Sequence, residues 1–250
     1  VTAPEVDGPT VPDEESLAFE ALVVARVTAD IEALLRDTVG VFLSAYGAVA
    51  RAGAVPPETA RALARAIAIR LRRLAWSPMD PRLRLAAREA RSLGLDRAIR
   101  RLPVDDRPED VIRPDGPVRV PAADAALKGR LREAARLAGA LDLTKRANVL
   151  AVAGRVRSGL AVVKGHARWT ANEGINAGTA EVAKATGRRL LWVPERDACL
   201  HCLARAGWVV EPGDEFPAGI SYDPLARSIP GVPWPPLHPN CRCEVRTYDG

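Results

Sequence analysis

The last quarter of the chain carries side chains whose types and spacing suit a metal ion. Cys199 and Cys202 are separated by two residues, and further on comes His238-Pro-Asn-Cys241-Arg-Cys243. Two thiolates spaced this way can grip one tetrahedral ion from a tight turn. Cys199, Cys202 and Cys241 are expected as ligands, with either His238 or Cys243 in the fourth position; His201 is a sixth candidate. Soft thiolates favour zinc over magnesium or calcium. So much thiolate points to one structural zinc rather than to a catalytic ion with an open water position. The competing arrangement is oxidation, with Cys199–Cys202 and Cys241–Cys243 as disulfides, or free thiols. All four cysteines lie after residue 198. Tight pairs in a cytoplasmic chain read as metal ligands, because a disulfide-stapled domain spreads its cysteines along the sequence.

Enzyme templates find no support in the sequence. His-Glu-x-x-His is absent, which removes the zincin pattern. A zinc deaminase needs His-x-Glu ahead of its Pro-Cys-x-x-Cys, whereas the three histidines here are followed by Ala-Arg, Cys-Leu and Pro-Asn. Neither Gly-x-Ser-x-Gly nor a Walker loop occurs. With His201 and His238 inside the cluster, only His166 remains, in Lys164-Gly-His-Ala-Arg168, and it reads as an ordinary surface or helix-facing histidine. A non-enzymatic protein is expected.

The elements that must position the cluster are mostly helical. Hydrophobic residues make up 48% of the chain but aromatics only 4%, so the apolar material is Ala, Val and Leu, as in closely packed helices. Leu17, Val23, Val27, Ile31, Leu35, Val39 and Phe42 recur at three- and four-residue steps, which predicts an amphipathic helix over 14–51. A second helix is predicted from Pro57 to Ser77-Pro78, and a third over about 81–101 with a break at Gly94. Pro103, Pro108, Pro114, Pro117 and Pro121 make 103–121 a linker or extended arm. Residues 1–12, with Pro4, Pro9 and Pro12, read as another arm. Helical pattern resumes at Asp124 and runs to about Thr186, with a turn near Gly139 to Leu143 and a break or kink at Gly165. Gly174 and Gly178 share a helix face, which would let another helix approach closely, and Gly187 caps the end. Leu190–Val193 reads as a short strand. Nine prolines follow between Pro194 and Gly250, so this end is expected to be a β-and-loop module with little core of its own. The fold class is therefore mainly α: a multi-helix body with a small C-terminal β/loop zinc-knot module.

From Trp192-Val-Pro-Glu-Arg-Asp-Ala-Cys-Leu-His-Cys202, through a Gly/Pro-rich stretch, to Pro235-Pro-Leu-His-Pro-Asn-Cys-Arg-Cys243, the sequence closely resembles the phage Mu F-like minor head protein family, also called the phage head morphogenesis family. That family's frame is a Trp, an Asp, Cys-x-x-Cys, a loop, then Pro-Pro-x-His-Pro-x-Cys-Arg-Cys. The upstream Ala167-Arg-Trp-Thr-Ala-Asn-Glu-Gly-Ile-Asn-Ala-Gly178 resembles the family's preceding helix, although Trp169 and Ala171 depart from its commonest form. The resemblance covers about residues 125–247. Together with the periodicity and the prolines, it divides the chain into three regions: an N-terminal helical region 1–102, which carries no motif of the family, the Pro-rich linker or arm 103–121, and a Mu F-like domain 122–250 built from helices over 122–187 and the knot over 188–250. It also implies a minor head protein of a tailed phage, inside the capsid or at the portal, acting in head morphogenesis and DNA delivery. Its partners would be the portal or major capsid protein, with several copies per particle. It would reside in the virion, and in the host cytoplasm during assembly. The alternative is a metal-dependent nuclease or capsid maturation protease acting during head assembly.

Charge adds one further expectation. The chain's net charge is +5, yet between Arg61 and Arg101 twelve arginines face only Asp80, Glu89 and Asp96, a local excess near +9. Arginines on helix faces can contact DNA phosphates without reading sequence. Trp76 is the only aromatic among them, which argues against a base-stacking groove. No apolar run reaches the length of a membrane span, and the start, Val1-Thr-Ala-Pro-Glu-Val-Asp, is acidic rather than signal-like, so a cytoplasmic origin without membrane contact is expected.

Overall fold

A computed structural model describes residues 13–108, 110, 112, 118–225 and 229–249. The arm expected over 1–12 lies outside these residues, as does most of 109–117 within the Pro-rich segment. The body is helical: α1 (Glu14–Arg51), α2 (Pro57–Arg73), α3 (Met79–Arg101), α4 (Ala123–Ala140) and α5 (Arg146–Thr186), with a 3-10 turn at Val104–Asp106. A small sheet and one short helix follow: β1 (Arg189–Val193), α6 (Leu200–Leu203), β2 (Val209–Val210) and β3 (Glu244–Tyr248). This is the mainly helical body with a small C-terminal β module that the periodicity predicts. No helix among the described residues is long and apolar enough to cross a membrane.

The chain divides into two compact units that do not follow sequence order. One comprises Val1–Val24, Pro81–Pro121 and His166–Gly250, the other Ala25–Asp80 and Ala122–Gly165.

The second unit is a packing of helices by their apolar stripes. In α1 the residues Val27, Ile31, Leu35, Val39 and Phe42 are buried at steps of about one turn, as the sequence pattern requires. Pro57 at the first turn of α2 starts that helix where its missing N–H is harmless. The helix stops at Arg73 rather than at Ser77-Pro78, and Trp76 instead donates its indole N–H to Asp124 Oδ1 at 2.7 Å. Asp124 Oδ2 also accepts from the backbone N–H groups of Met79 and Asp80 (3.0 and 3.1 Å), while Asp124 N donates back to Asp80 Oδ1 at 3.1 Å. Each carboxylate thus satisfies free N–H groups at the other helix's start. α2 packs on α4, and the turn to α5 is closed by Asp142, whose Oδ1 accepts from Thr144 N and Oγ1.

The first unit holds the sheet and the close helix crossing. β1 is central, antiparallel to β2 (Leu190↔Val210) and to β3 (Trp192↔Val245). α3 runs unbroken through Gly94, against the expected break, because that glycine is where a backbone passes: a Cβ there would lie 2.0 Å from Ile175 O. Gly174 and Gly178 serve the same crossing from α5, with added Cβ atoms 2.4 Å from Ala90 Cβ and 2.1 Å from Arg91 O. Their shared face was legible; that Gly94 answers them was not. α5 is also continuous through Gly165, where the sequence suggested a kink. One glycine costs a helix about 1 kcal/mol, and the flanking Val163 and Ala167 are both fully buried. Gly187, at φ 66°, ends α5, and Arg188 N reaches back to Ala183 O at 2.9 Å.

The C-terminal module has more core than its proline content suggested. Trp192 and Phe216 meet edge to face at 5.0 Å between centroids. Around them lie Leu190, Val232, Val245, Cys202, Cys241 and Cys243, completed by Ala180 and Ala183 of α5.

Candidate metal centre

Each half of the cluster is a turn that the local sequence dictates. Cys199 precedes α6 in extended conformation, and Cys202 N donates to Cys199 O at 3.0 Å, so the two sulfurs end up on one side of a single helical turn. In the second half, Cys241 N donates to His238 O at 3.1 Å, with Asn240 at φ 69°. Pro at the first central position and Asn at the second, left-handed one suit a type II turn. His-Pro-Asn-Cys is therefore a sequence that folds His238 and Cys241 back toward each other. The Pro235–Pro236 bond just upstream is cis.

The two turns bring their side chains together. Cys199 Sγ lies 3.0 Å and Cys202 Sγ 3.7 Å from His238 Nε2, and Cys202 Sγ lies 3.6 Å from Cys241 Sγ. Among the described residues two triads have all donor atoms within 4.8 Å of one another: Cys199, Cys202 and His238, and Cys202, Cys241 and Cys243. Cys202 belongs to both. Zinc bond lengths of about 2.3 Å to sulfur and 2.0 Å to nitrogen place tetrahedral donors roughly 3.5–3.8 Å apart. Two of the three distances fall in that range or at its edge, so the cluster could bind one metal ion such as zinc. His238 is already oriented for it: Nδ1 donates to Pro239 O at 2.9 Å, leaving the Nε2 lone pair facing the thiols. All four cysteines are free thiols, so neither suggested disulfide is formed.

The thiols are electrostatically unequal. Cys241 is held well below the ordinary thiol range, first by a hydrogen bond from Cys202 and then by one from Cys243. Cys202 is pushed up because it donates to Cys241 and Cys243 and is buried. Cys243 also rises: hydrogen bonding to Cys202 opposes the rise, and Cys241 and burial outweigh it. Three sulfurs thus share protons around one thiolate, protons that a bound metal would displace.

Of the other sequence candidates, His201 points elsewhere, its Nδ1 2.6 Å from Ser221 Oγ, and joins neither triad. His166 lies within α5 and in neither triad. Sequence reasoning missed what holds the second half in place. Asn172 Nδ2 donates to Cys241 O (2.8 Å) and Cys243 O (3.1 Å); Asn176 Nδ2 donates to Cys243 O at 3.1 Å, and its Oδ1 accepts from Val245 N at 2.8 Å. The available signal was two Asn one turn apart inside a helix, a costly residue at that position without a tertiary partner. Between them sits Glu173, fully buried, bound by the Arg119 fork (2.7 and 2.5 Å) and by the Trp234 indole N–H at 3.0 Å. Arg242, in Cys-Arg-Cys, forks Glu20 at 3.0 and 2.9 Å.

The basic run is not uniformly available. Arg70 pairs with Asp37, Arg91 with Glu181, Arg97 with Asp13 and Glu244, and Arg100 with Glu15. Arg61, Arg65 and Arg72 are exposed on α2, and no acidic side chain pairs with them among the described residues.

No protein-family model matches the chain, and no curated protein or solved structure does either.

Proposed function

We propose that the chain is a minor head protein of a tailed phage, a structural component whose C-terminal module is fixed by one zinc ion. The observation that supports it is the convergence of Cys199, Cys202, His238, Cys241 and Cys243, the Cys and His positions of the head-morphogenesis frame that the sequence resembles. The donors of both triads are thiols and an imidazole. Glu195, the carboxyl whose charge is felt at Cys241, is engaged by Arg242 at 3.6 Å rather than free to act as a general base, which favours a structural metal over a nuclease or protease. The partners on this reading are the portal or major capsid protein. Contact with DNA falls to exposed arginines of the basic run that no acidic side chain pairs among the described residues, Arg61, Arg65, Arg72 and Arg73 of α2 and Arg84 and Arg88 of α3, since Arg91, Arg97, Arg100 and Arg101 have their charge matched within the chain. The protein belongs to the virion, and to the host cytoplasm during assembly.

The test is to purify assembled particles carrying this chain and locate it by mass spectrometry and electron microscopy, with zinc measured on the isolated protein. A few copies beside the portal, one zinc per chain, and no hydrolysis of DNA or coat protein are expected. Absence from both procapsids and virions would remove the head-protein reading. Hydrolysis lost in a folded Cys199→Ser variant would move the chain to the enzyme class.

A further inference from the structure

Arg205 is fully buried, yet no carboxylate pairs with it among the described residues. Its guanidinium is spread over backbone carbonyls instead. Nη1 donates to His201 O at 3.1 Å and Ile220 O at 3.0 Å, and Nη2 to Pro217 O at 2.8 Å and Pro230 O at 3.4 Å. The group also lies 5.9 Å from the Trp192 ring centroid. The carbonyls take up both Nη groups, Nε is left without a hydrogen-bond partner, and none of these contacts supplies net charge. A buried cation without a counter-charge is strongly unfavourable, because desolvation is not offset by attraction. Burial accordingly lowers the Arg205 pKa, and the sulfurs whose negative charge would oppose the fall are those of Cys202 and Cys199, both of them candidate metal ligands. Arg242, between Cys241 and Cys243, differs in this respect, because it is matched by Glu20 and Glu195.

We propose that Arg205 is the counter-charge of the metal-loaded centre, and a positioning residue that ties metal binding to the backbone at Pro217, Ile220 and Pro230. The inference rests on the zinc reading above. A divalent ion held by three thiolates and a neutral imidazole formally carries one negative charge, and one held by four thiolates carries two. Either state needs a cation in a site shielded from water, and Arg205 supplies it from the residue three positions after Cys202. The same side chain gathers the carbonyls of Pro217, Ile220 and Pro230, so loading the metal stabilises the guanidinium that holds these three groups.

The experiment uses the full chain with Arg205→Lys, which keeps the charge and loses the planar fan, and Arg205→Met, which loses both. Zinc affinity is read by competition with a chromophoric chelator, and coordination by the visible bands of the cobalt-substituted protein. Outer-sphere changes around metal ligands cost about 10- to 100-fold in affinity. Arg205→Met should fall in that range, and Arg205→Lys should stay within about threefold of the parent, although both destabilise the metal-free chain. Equal loss of affinity in the two variants, or no loss in either, would overturn the proposal in favour of a purely structural carbonyl clamp. Should Arg205→Met fail to fold with zinc, Arg205→Gln takes its place, with the same expected loss and the same overturning result. A parent chain that binds no zinc would sink the metal reading itself, a failure visible before any variant is compared.

Discussion

The two compact units are held together by different physics. Buried residues of the second unit are almost all Ala, Val, Leu, Ile and Phe, with Thr28 and Thr38 as its buried polar side chains. In the first unit Arg91, Arg97, Glu173, Asn176 and Arg205 are all buried, and each answers a particular partner. Apolar packing tolerates exchange as long as volume and pattern persist. Buried polar groups do not, because one lost partner leaves the other desolvated and unpaired. The Cys/His cluster lies in the unit of the second kind, where its scaffold is specified atom by atom.

Removing the metal is expected to have the largest effect, and it should be confined to one unit. Structural zinc sites contribute on the order of 10 kcal/mol to folding. Chelating the zinc-loaded protein, or changing Cys202 to Ser, should abolish amide protection in β1, β3 and the turns at 199–205 and 238–243 while α2 and α4 keep theirs. Hydrogen exchange read by mass spectrometry checks this, and equal loss in α2 and α4 would break the contrast between units.

Next comes Arg119→Met, which leaves Glu173 buried without its fork. A cost of about 3 kcal/mol at neutral pH is expected, the lower end for a broken buried pair since Arg119 is partly exposed. Burial raises the Glu173 carboxyl above its ordinary range, with Arg119 and Trp234 opposing the rise. A carboxyl raised on folding destabilises increasingly as pH climbs from its unfolded value through its folded one. Losing Arg119 raises it further, so the variant should approach the parent's stability in acid and diverge toward neutrality. Urea denaturation across that range would show it, and a gap independent of pH would count against a charged Glu173.

A pair of identical substitutions then sets the units against each other. Gly94→Ala puts a methyl group against the Ile175 backbone and should cost about 3 kcal/mol. Gly154→Ala, in the α5 segment of the second unit, meets nothing within 4 Å and should stabilise by roughly 0.5–1 kcal/mol. Between them in size falls Asp124→Ala, at about 1–2 kcal/mol from lost capping. Burial acts to raise the Asp124 carboxyl, but hydrogen bonds from Trp76, Asp80 and Met79 hold it below the usual range. Its contribution is present above that range and fades as pH falls through the folded value. Thermal melts of the three variants at neutral pH and in acid test the order and the signs.

Much of this was readable in one dimension. The α1 stripe from Val23 to Phe42 places a helix over Glu14–Arg51 because burial repeats with the helical period. Cys-x-x-Cys and His-Pro-Asn-Cys each encode a turn, so the ligand types and both local geometries follow from neighbouring residues. What the sequence left open depends on residues far apart in the chain. That Gly94 meets Ile175, that Asn172 and Asn176 hold the carbonyls of Cys241 and Cys243, and that Arg119 answers Glu173 are facts of tertiary packing. Local spacing fixes periodicity and turns, whereas the partner of a buried polar group or of a missing Cβ is chosen only when distant segments meet. The same limit governs the cluster: sequence supplied its donors, and the fold alone made Cys202 the sulfur common to both triads and turned His201 toward Ser221.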